Sequence, residues 1–266
     1  MIPLTCLFQQ HVIHYRISGS GQPVLLLHGF AEDSSIWDNI AEELSHKYKI
    51  ILPDIPGSGK SPAWPSNTKG INGYAEAMLA ILKEEHHEDA IVIGHSMGGY
   101  IALAMAEIAA TKIKGLGLFH SSAYADEENK KETRKKSIAF IQENGASAFL
   151  RTSLPGLFAD AELNKAAIEA LLQRAVAFSK ETLIQYYEAM ITRPDRTKIL
   201  SQSNFPILFV MGVEDKAVPF SHSLQQSHLP SISHISILRF SAHMGMIEEA
   251  DKSLLILTDF LQAIYV

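Results

Sequence analysis

The sequence lacks the features that define several large protein classes. It contains a single cysteine, Cys6, among 266 residues, so no disulfide can form within the chain. A chain of this length buries enough apolar surface to fold without disulfides, and this permits a reducing compartment. There is no run of 18 or more apolar residues, so we expect no membrane-spanning helix. The first residues also lack the basic-then-apolar pattern of a signal peptide, and we expect a cytoplasmic protein.

Positive charge is also scarce. Lysine and arginine number 23 against 29 aspartate and glutamate residues, a formal net charge of -6. No basic run accompanies the candidate site residues, so nucleic acid is not predicted as a partner. The 47% hydrophobic and 20% charged content is typical of a globular protein with one large α/β domain or two smaller ones.

A phosphate-binding loop is suggested by the glycine-lysine-serine triplet at residues 59–61, but the surrounding residues argue against it. The motif G-x-x-x-x-G-K-[ST] would place its first glycine at Asp54, whose carboxylate would repel a phosphate. The loop must also open a helix, which Pro62 and Pro65 obstruct. We therefore interpret this segment as a turn and do not predict nucleotide binding.

Short apolar runs alternate with amphipathic stretches along most of the chain. Runs of this length and composition are typical of buried parallel strands, and the alternation predicts a mostly parallel sheet with helices on both faces. The segment 11–16 is expected to add an antiparallel hairpin at one edge. The predicted strands are 23–30, 48–54, 89–96, 113–122, 205–212 and 233–240.

One region interrupts this alternation. Residues 124–197 contain no convincing strand and are predicted to be helical, which suggests a lid over one edge of the sheet. The region begins with the charged run DEENKKETRKK, interpreted as the solvated face of a helix. Leu183, Ile184, Tyr187 and Met190 recur at helical spacing, and we attribute this stripe to packing.

The segment IVIGHSMGGYIAL contains the motif G-x-S-x-G at Gly94, Ser96 and Gly98. The motif directly follows a predicted strand and opens a predicted helix, which is the context of a nucleophile elbow. In this turn the serine Oγ is held above the sheet, at the positive end of a helix. A glycine-rich turn for helix–sheet packing is the alternative interpretation.

A serine nucleophile needs a histidine base that is held by a carboxylate. Downstream, Asp215 follows the strand PILFVMG, and His243 follows the strand ISILRF. Strand ends on this side of an open α/β sheet are where ligands bind, so both residues are predicted to meet Ser96. Glu214, Asp54 and Asp126 are the alternative acids.

Other histidines compete with His243 for the role of base. His120 is the main rival, because it ends the strand beside the elbow strand and could line the pocket. His95 lies within the elbow, and we expect its side chain to point away from the pocket. We expect the histidines near the penultimate connection to lie at the wrong end of the sheet or on the surface: His222, His228 and His234.

An oxyanion hole is expected from two backbone N–H groups, those of Met97 and Phe30. Gly29 lets the backbone approach the substrate closely, and His28 is interpreted as a structural residue of the same loop. Apolar residues of the helical region either line the substrate pocket or only pack. With Phe30, the candidate substrate-binding residues are His120, Phe149, Leu154 and Tyr186.

Taken together, the motifs HGF, DIPGSGKS, GHSMGG, GVEDKAVP and SAHMG resemble those of the α/β-hydrolase superfamily, in particular small carboxylesterase-like serine hydrolases. The resemblance covers nearly the whole chain. It implies an α/β-hydrolase fold with a core of residues 1–123 and 198–266 and an inserted helical cap of residues 124–197. In that family, D-x-x-G-x-G-x-S is a turn, as Gly57, Gly59 and Ser61 would form here.

The resemblance implies acyl transfer through Ser96, Asp215 and His243, with a small acyl substrate and water and with no metal or organic cofactor. Members that use a nucleophilic aspartate are excluded by Ser96. Lactonases, C–C bond hydrolases and perhydrolases of the same superfamily remain open, as does a slow-turnover sensor that binds a small ligand. The oligomeric state is not predicted.

Overall fold

The computed structural model, which describes residues 1–66 and 69–265, contains an eight-stranded sheet in the order β1-β2-β4-β3-β5-β6-β7-β8. Residues 67, 68 and 266, which belong to the predicted core, lie outside the described part of the chain. The strands are β1 (Ile2–Phe8), β2 (His11–Ser18), β3 (Gln22–Leu27), β4 (Tyr48–Pro53), β5 (Ala90–His95), β6 (Ile113–Phe119), β7 (Ile207–Gly212) and β8 (Ser233–Leu238).

The central strands are parallel, and the hairpin at one edge is antiparallel. Strands β5 and β7 are buried along their whole length, because helices cover both faces of the sheet at this position. The β1–β2 hairpin pairs antiparallel to β4 through β2, as predicted. Strand β8 lies at the other edge and alternates between half-buried and exposed residues, so it is less buried than the central strands.

The helices that cover the sheet follow the strands in an alternating order. Helix α3 follows β5 directly and is buried at nearly every position, because its small and apolar residues lie between the sheet and α2. The helices are α1 (Asp38–Leu44), α2 (Ile71–Glu84), α3 (Met97–Ile108), α4 (Glu128–Asn144), α5 (Ala146–Ser153), α6 (Lys165–Ala175), α7 (Lys180–Ile191), α8 (Thr197–Gln202), α9 (Phe220–Gln226), α10 (Gly245–Glu248) and α11 (Ala250–Ile264).

Helices α4 to α8 lie between β6 and β7 in the described part of the chain, and residues 124–197 contain no strand. This agrees with the predicted helical insertion, although its division from the core as a separate cap stays a prediction. The hydroxyl of Tyr186, in α7, donates to the backbone oxygen of Pro56 at 2.9 Å and thereby ties the insertion to the turn after β4.

The turn after β4 is organised by a carboxylate and does not open a helix. Asp54 Oδ1 accepts a hydrogen bond from the Ser34 N–H at 3.0 Å, and Oδ2 accepts one from the Lys60 N–H at 2.9 Å. Residues 61–66 are not helical, and α2 begins at Ile71. An acidic side chain therefore occupies the position that a phosphate would take, which agrees with the rejection of a nucleotide-binding loop.

No helix in the described part of the chain is both long enough and apolar enough to cross a membrane.

Candidate active site

Ser96 lies in a sharp turn between β5 and α3. Its backbone adopts φ +50° and ψ −115°, a conformation that is strained for a residue with a side chain. A Cβ atom on Gly94 would lie 2.2 Å from the carbonyl group of Gly98, and one on Gly98 would lie 2.6 Å from the backbone oxygen of Leu27. The two glycines are therefore required by the close approach of strand and helix, which is the physical content of the G-x-S-x-G motif.

Neighbouring backbone and side-chain groups hold this turn in place. The N–H of Ser96 donates to the oxygen of Phe119, at the end of β6, at 3.0 Å. The hydroxyl of Ser121 donates to the oxygen of Ser96 at 2.7 Å. The strained backbone of Ser96 is thus fixed on both sides, and its side chain lines a cavity of about 700 Å³ between the sheet and the helical insertion.

Asp215 and His243 meet at the same end of the sheet. Asp215 follows β7 and His243 follows β8, and Oδ2 of the carboxylate lies 2.8 Å from Nδ1 of the imidazole. Because an ionised carboxylate only accepts hydrogen bonds, the proton of His243 is on Nδ1 and Nε2 is left as a base. His243 and Ser96 line the same cavity, and no hydrogen bond joins their side chains among the described contacts.

Asp215 is held by four donors. Its Oδ1 accepts the backbone N–H groups of Ala217 and Val218, each at 2.8 Å, while Oδ2 accepts from His243 and from Nδ1 of His120 at 3.1 Å. Burial alone would raise the pKa of this carboxyl, but the charge of His243 and the two imidazole hydrogen bonds lower it well below the ordinary value. Asp215 is therefore ionised throughout the neutral range.

His120 is a buried partner of Asp215 and does not touch the cavity. Its side chain is buried beneath His243, with ring centroids 5.8 Å apart. Burial lowers its pKa to about 4 against the opposing effect of Asp215, so the imidazole is neutral and donates from Nδ1. The expectation that His120 contacts substrate is corrected, because His120 is buried and is not among the described residues that line the cavity.

A second buried pair, Glu32 and His95, lies beside His243, and the ring of His95 is 4.9 Å from that of His243 and 6.1 Å from that of His120. Nδ1 of His95 lies 3.0 Å from Oε2 of Glu32, and Nε2 lies 2.9 Å from the backbone oxygen of His243. Because both ring nitrogens face acceptors, the imidazole is protonated. Burial would lower the pKa of His95, but the Glu32 carboxylate and the backbone oxygen of His243 outweigh burial, so the pKa of His95 is raised. Burial would raise the pKa of Glu32, but the His95 imidazole outweighs burial, so the pKa of Glu32 is lowered.

The Glu32–His95 pair also fixes the loop after β3. Oε2 of Glu32 accepts the N–H of Gly29 at 2.6 Å, next to Phe30. Among the described residues, the N–H groups of Phe30 and Met97 have no protein acceptor, which is the state required of an oxyanion hole. His28 does not face the cavity: its Nε2 accepts the N–H of Ile55 at 3.0 Å and ties the loop to the turn after β4.

The cavity walls differ from those expected for the helical insertion. Phe30 lines the cavity as predicted, with its ring stacked at 4.4 Å on that of Tyr187. The expectation is corrected for Phe149, Leu154 and Tyr186, which are buried and are not among the described residues that line the cavity. The apolar character of these residues left packing and exposure to a cavity both open, and in the structure they pack.

Two histidines also lie differently from expectation. His95 was expected to point away from the pocket, yet it lines the cavity with its ring 4.9 Å from that of His243. His222 was expected at the wrong end of the sheet or on the surface, and it too lines the cavity. Both corrections have one cause: α9 and the elbow start at the carboxyl ends of parallel strands, where the cavity lies.

Sequence reasoning missed a polar wall of the cavity. It contains Tyr100, Arg134 and Arg193, with the guanidinium of Arg193 3.9 Å from the ring centre of Tyr100. Asp126, weighed only as an alternative acid, lies between the two arginines. A signal existed for Tyr100, which lies in the first turn of the helix that Ser96 directly precedes. The arginines gave none, because Arg134 lies within a run interpreted as a solvated face.

The ligand atoms of His120, Asp215 and His243 lie within 4.8 Å of one another, close enough to surround a metal ion. Both imidazoles, however, direct the Nδ1 proton at the same carboxylate oxygen. An ion there would have to displace both hydrogen bonds, so this arrangement fits a carboxylate that orients an imidazole better than a metal centre.

Comparison with known proteins finds relatives that match part or nearly all of this chain. An uncharacterized protein of Mycobacterium tuberculosis is 34% identical over 92 residues, which cover 35% of this chain and only 27% of that protein. A pimeloyl-[acyl-carrier protein] methyl ester esterase of Vibrio cholerae is 24% identical over 261 residues, covering 90% of this chain and 94% of the esterase. A thermophilic esterase from Thermogutta terrifontis, solved with malate bound, superposes with a TM-score of 0.93 at 22% identity over 100% of both chains.

The family model for the alpha/beta hydrolase fold matches residues 22–238. These residues include β3 to β8, the elbow at Ser96 and the carboxylate of Asp215. With the eight-stranded, mostly parallel sheet and its covering helices, the match establishes that this chain belongs to the α/β-hydrolase fold family.

Proposed function

We propose that this protein is a serine hydrolase of small carboxylic esters, with Ser96 as nucleophile, His243 as general base and Asp215 as the residue that orients the base. The observation that carries the proposal is the hydrogen bond between Nδ1 of His243 and Oδ2 of Asp215, at 2.8 Å, next to the cavity that Ser96 and His243 both line. The names of the curated relatives, which include an ester hydrolase, support the same reaction class.

The proposed reaction proceeds through an acyl-enzyme. Nε2 of His243 takes the proton of the Ser96 hydroxyl as Oγ attacks the ester carbonyl. The N–H groups of Phe30 and Met97 donate to the oxyanion of the tetrahedral intermediate. His243 then gives its proton to the departing alcohol. A water, deprotonated by the same imidazole, releases the acid and restores Ser96.

The separation of Ser96 from His243 is compatible with this role. Catalytic hydrogen bonds in proteins without substrate are often long, and they tighten when substrate fills the site. The loop of His243 is restrained on two sides, since its N–H donates to Leu157 of the helical insertion at 2.9 Å and its oxygen accepts from His95. These two hydrogen bonds hold the backbone of His243 beside the cavity that Ser96 also lines.

The decisive experiment combines covalent labelling with turnover. A fluorophosphonate probe is expected to label the wild-type protein at Ser96, as read by peptide mass spectrometry, and p-nitrophenyl acetate to be hydrolysed with repeated turnover. Ser96→Ala should abolish both. The matched control is Ser201→Ala, which removes an exposed hydroxyl of α8 that donates to the backbone away from the cavity, and it should keep both. Unchanged ester hydrolysis by Ser96→Ala would refute the proposal, and one product burst without turnover would favour a ligand sensor.

A further inference from the structure

The wall of the cavity formed by the helical insertion carries a cluster of charged side chains. Nε of Arg134, in α4, lies 2.6 Å from Oδ2 of Asp126, and Nη2 of Arg193 lies 2.9 Å from Oδ1 of the same carboxylate. The side chain of Asp126 is fully buried, and those of Arg134 and Arg193 are 12% and 4% exposed. Two guanidinium groups thus share a single carboxylate at the edge of an open cavity.

The two arginines differ in how many of their donors are used. Arg193 donates from Nη1 to the oxygen of Met190 and from Nη2 to the oxygen of Tyr124, so it is a structural tie within the insertion. Arg134 donates only from Nε, to Asp126. Neither of its Nη nitrogens has an acceptor among the described residues, and neither is fully buried. The hydroxyl of Tyr100 also has no protein partner there. Arg134 and Tyr100 therefore offer donors that the fold itself does not use.

The surroundings of these donors are positively charged. Apart from the Glu32–His95 pair, the described side chains that line the cavity include four cations and two carboxylates: Lys130, Arg134, Arg193 and Lys216, with Asp126 and Glu127. Tyr100 responds to this charge. Burial would raise the pKa of its phenol, but Arg193, Lys130 and Arg134 outweigh burial and lower the pKa below the ordinary value. Excess positive charge in a partly buried wall is costly unless an anion offsets it.

The cluster lies close to the proposed nucleophile. Tyr100 lies in the first turn of α3, and Ser96 is the N-cap residue directly before that helix. The side chains of Ser96 and Tyr100 line the same cavity. The guanidinium of Arg193 stacks on the Tyr100 ring and holds it in place. Because Tyr100 and Arg134 line the cavity that Ser96 also lines, a group bound by them would share that cavity with the ester carbonyl under attack.

We propose that Arg134 and Tyr100 bind a carboxylate group of the substrate, so that the protein prefers short esters that carry a carboxylate near the scissile bond. This inference rests on the proposed ester hydrolysis. A carboxylate fits because its two oxygens match the paired N–H groups of a guanidinium and the phenol hydroxyl. Arg193 and Asp126 do not bind it in this proposal; they position Tyr100 and Arg134.

The test compares charged esters with neutral twins. Monomethyl succinate, glutarate and adipate carry the carboxylate on the acyl side, and their dimethyl esters are the neutral counterparts. For the alcohol side, 3-acetoxypropanoate is compared with its methyl ester. In the acyl series, the alcohol series or both, the wild-type kcat/KM should be about tenfold or more higher for the charged ester than for its neutral twin. This is the size of effect that a hydrogen bond to a charged group gives. The series that shows the preference identifies where the carboxylate is attached.

The variants assign this preference to Arg134. Arg134→Gln is expected to reduce the charged-to-neutral ratio by about 10- to 100-fold, and Arg134→Lys by less, because lysine keeps the charge without the planar fork. Tyr100→Phe should reduce the ratio by a smaller factor. The matched control is Arg151→Gln, which removes an exposed arginine of α5 that does not line the cavity and should leave both rates unchanged. Far-ultraviolet circular dichroism verifies that each variant is folded.

A binding measurement makes the test independent of turnover. In a Ser96→Ala background, calorimetric titration should show that monomethyl esters bind more tightly than dimethyl esters. Adding Arg134→Gln should abolish this difference in affinity. Absence of any charge preference in both rates and binding, or a preference that survives Arg134→Gln, would overturn the inference. If dimethyl esters are hydrolysed through Ser96 without charge preference, only the carboxylate site fails; if Ser96 is neither labelled nor required, the proposed hydrolysis fails as well.

Discussion

Nδ1 of His120 lies 3.1 Å from the carboxylate oxygen Oδ2 of Asp215, which accepts a hydrogen bond from His243 as well. The two imidazoles reach this oxygen from adjacent loops, after β6 and after β8. His120 is neutral and buried, so it adds a donor without adding a charge. It therefore restricts the orientation of the carboxylate that holds the proposed base.

Replacing His120 is expected to lower kcat without a matching change in KM. His120→Leu removes one donor from a buried carboxylate, so the free energy of unfolding should fall by about 1.5–3 kcal/mol and kcat for p-nitrophenyl acetate by roughly tenfold. His120→Asn keeps an N–H near the position of Nδ1 and should recover most of kcat. Steady-state kinetics and urea unfolding provide both readouts. A wild-type kcat in His120→Leu would show that Asp215 is held without this histidine.

Replacing Glu32 should alter the pH dependence of stability. The pKa of His95 is raised, so its contribution is complete below the unfolded value of about 6.5 and is lost as the pH rises through the folded pKa. The pKa of Glu32 is lowered, so its contribution is complete above about 4.3 and is lost as the pH falls through the folded pKa. The stability difference between wild type and Glu32→Gln should therefore be largest between about pH 4.3 and 6.5.

Urea unfolding of wild type and Glu32→Gln at intervals from acid to alkaline pH measures this difference. Glu43→Gln, a substitution at an exposed position of helix α1, serves as the control. The difference in unfolding free energy between wild type and Glu43→Gln should be nearly constant with pH. If the Glu32→Gln difference instead grew steadily toward alkaline pH, His95 would have to be neutral in the folded protein.

The Tyr186 hydroxyl is expected to stabilise the attachment of the helical insertion. It donates to the oxygen of Pro56 at 2.9 Å in a fully buried site, so Tyr186→Phe leaves that oxygen with one donor fewer. The free energy of unfolding should fall by about 0.5–1.5 kcal/mol. Tyr48→Phe is the matched control, because the Tyr48 hydroxyl has no partner among the described residues. Equal effects of the two substitutions would argue against a specific role for this hydrogen bond.

Ester hydrolysis should require a neutral imidazole. The proposed base acts only when Nε2 is free, so kcat/KM should fall at acid pH. Initial rates with p-nitrophenyl acetate, corrected for spontaneous hydrolysis, test this. A flat profile down to pH 4 would be incompatible with an imidazole base.

Local patterns in the sequence predicted much of the fold. The apolar runs predicted six strands within a few residues, because strands buried on both faces must be almost wholly apolar. The edge strand β8 shows the limit of this reasoning, since its apolar residues are partly exposed and its position in the sheet depends on its partner β7. The G-x-S-x-G motif predicted the elbow because a strand and a helix can approach so closely only at glycine.

The sequence by itself determined the parts of the site that depend on neighbours along the chain: the strained Ser96, the expected oxyanion N–H groups, and the places of Asp215 and His243 after their strands. Only the tertiary structure decided which side chains line the cavity, since Arg134, Arg193 and Asp126 meet from segments up to about seventy residues apart. Helical periodicity reports which face of a helix is covered. Whether that face packs against another segment of the protein or lines an open cavity depends on how segments distant in the sequence pack together.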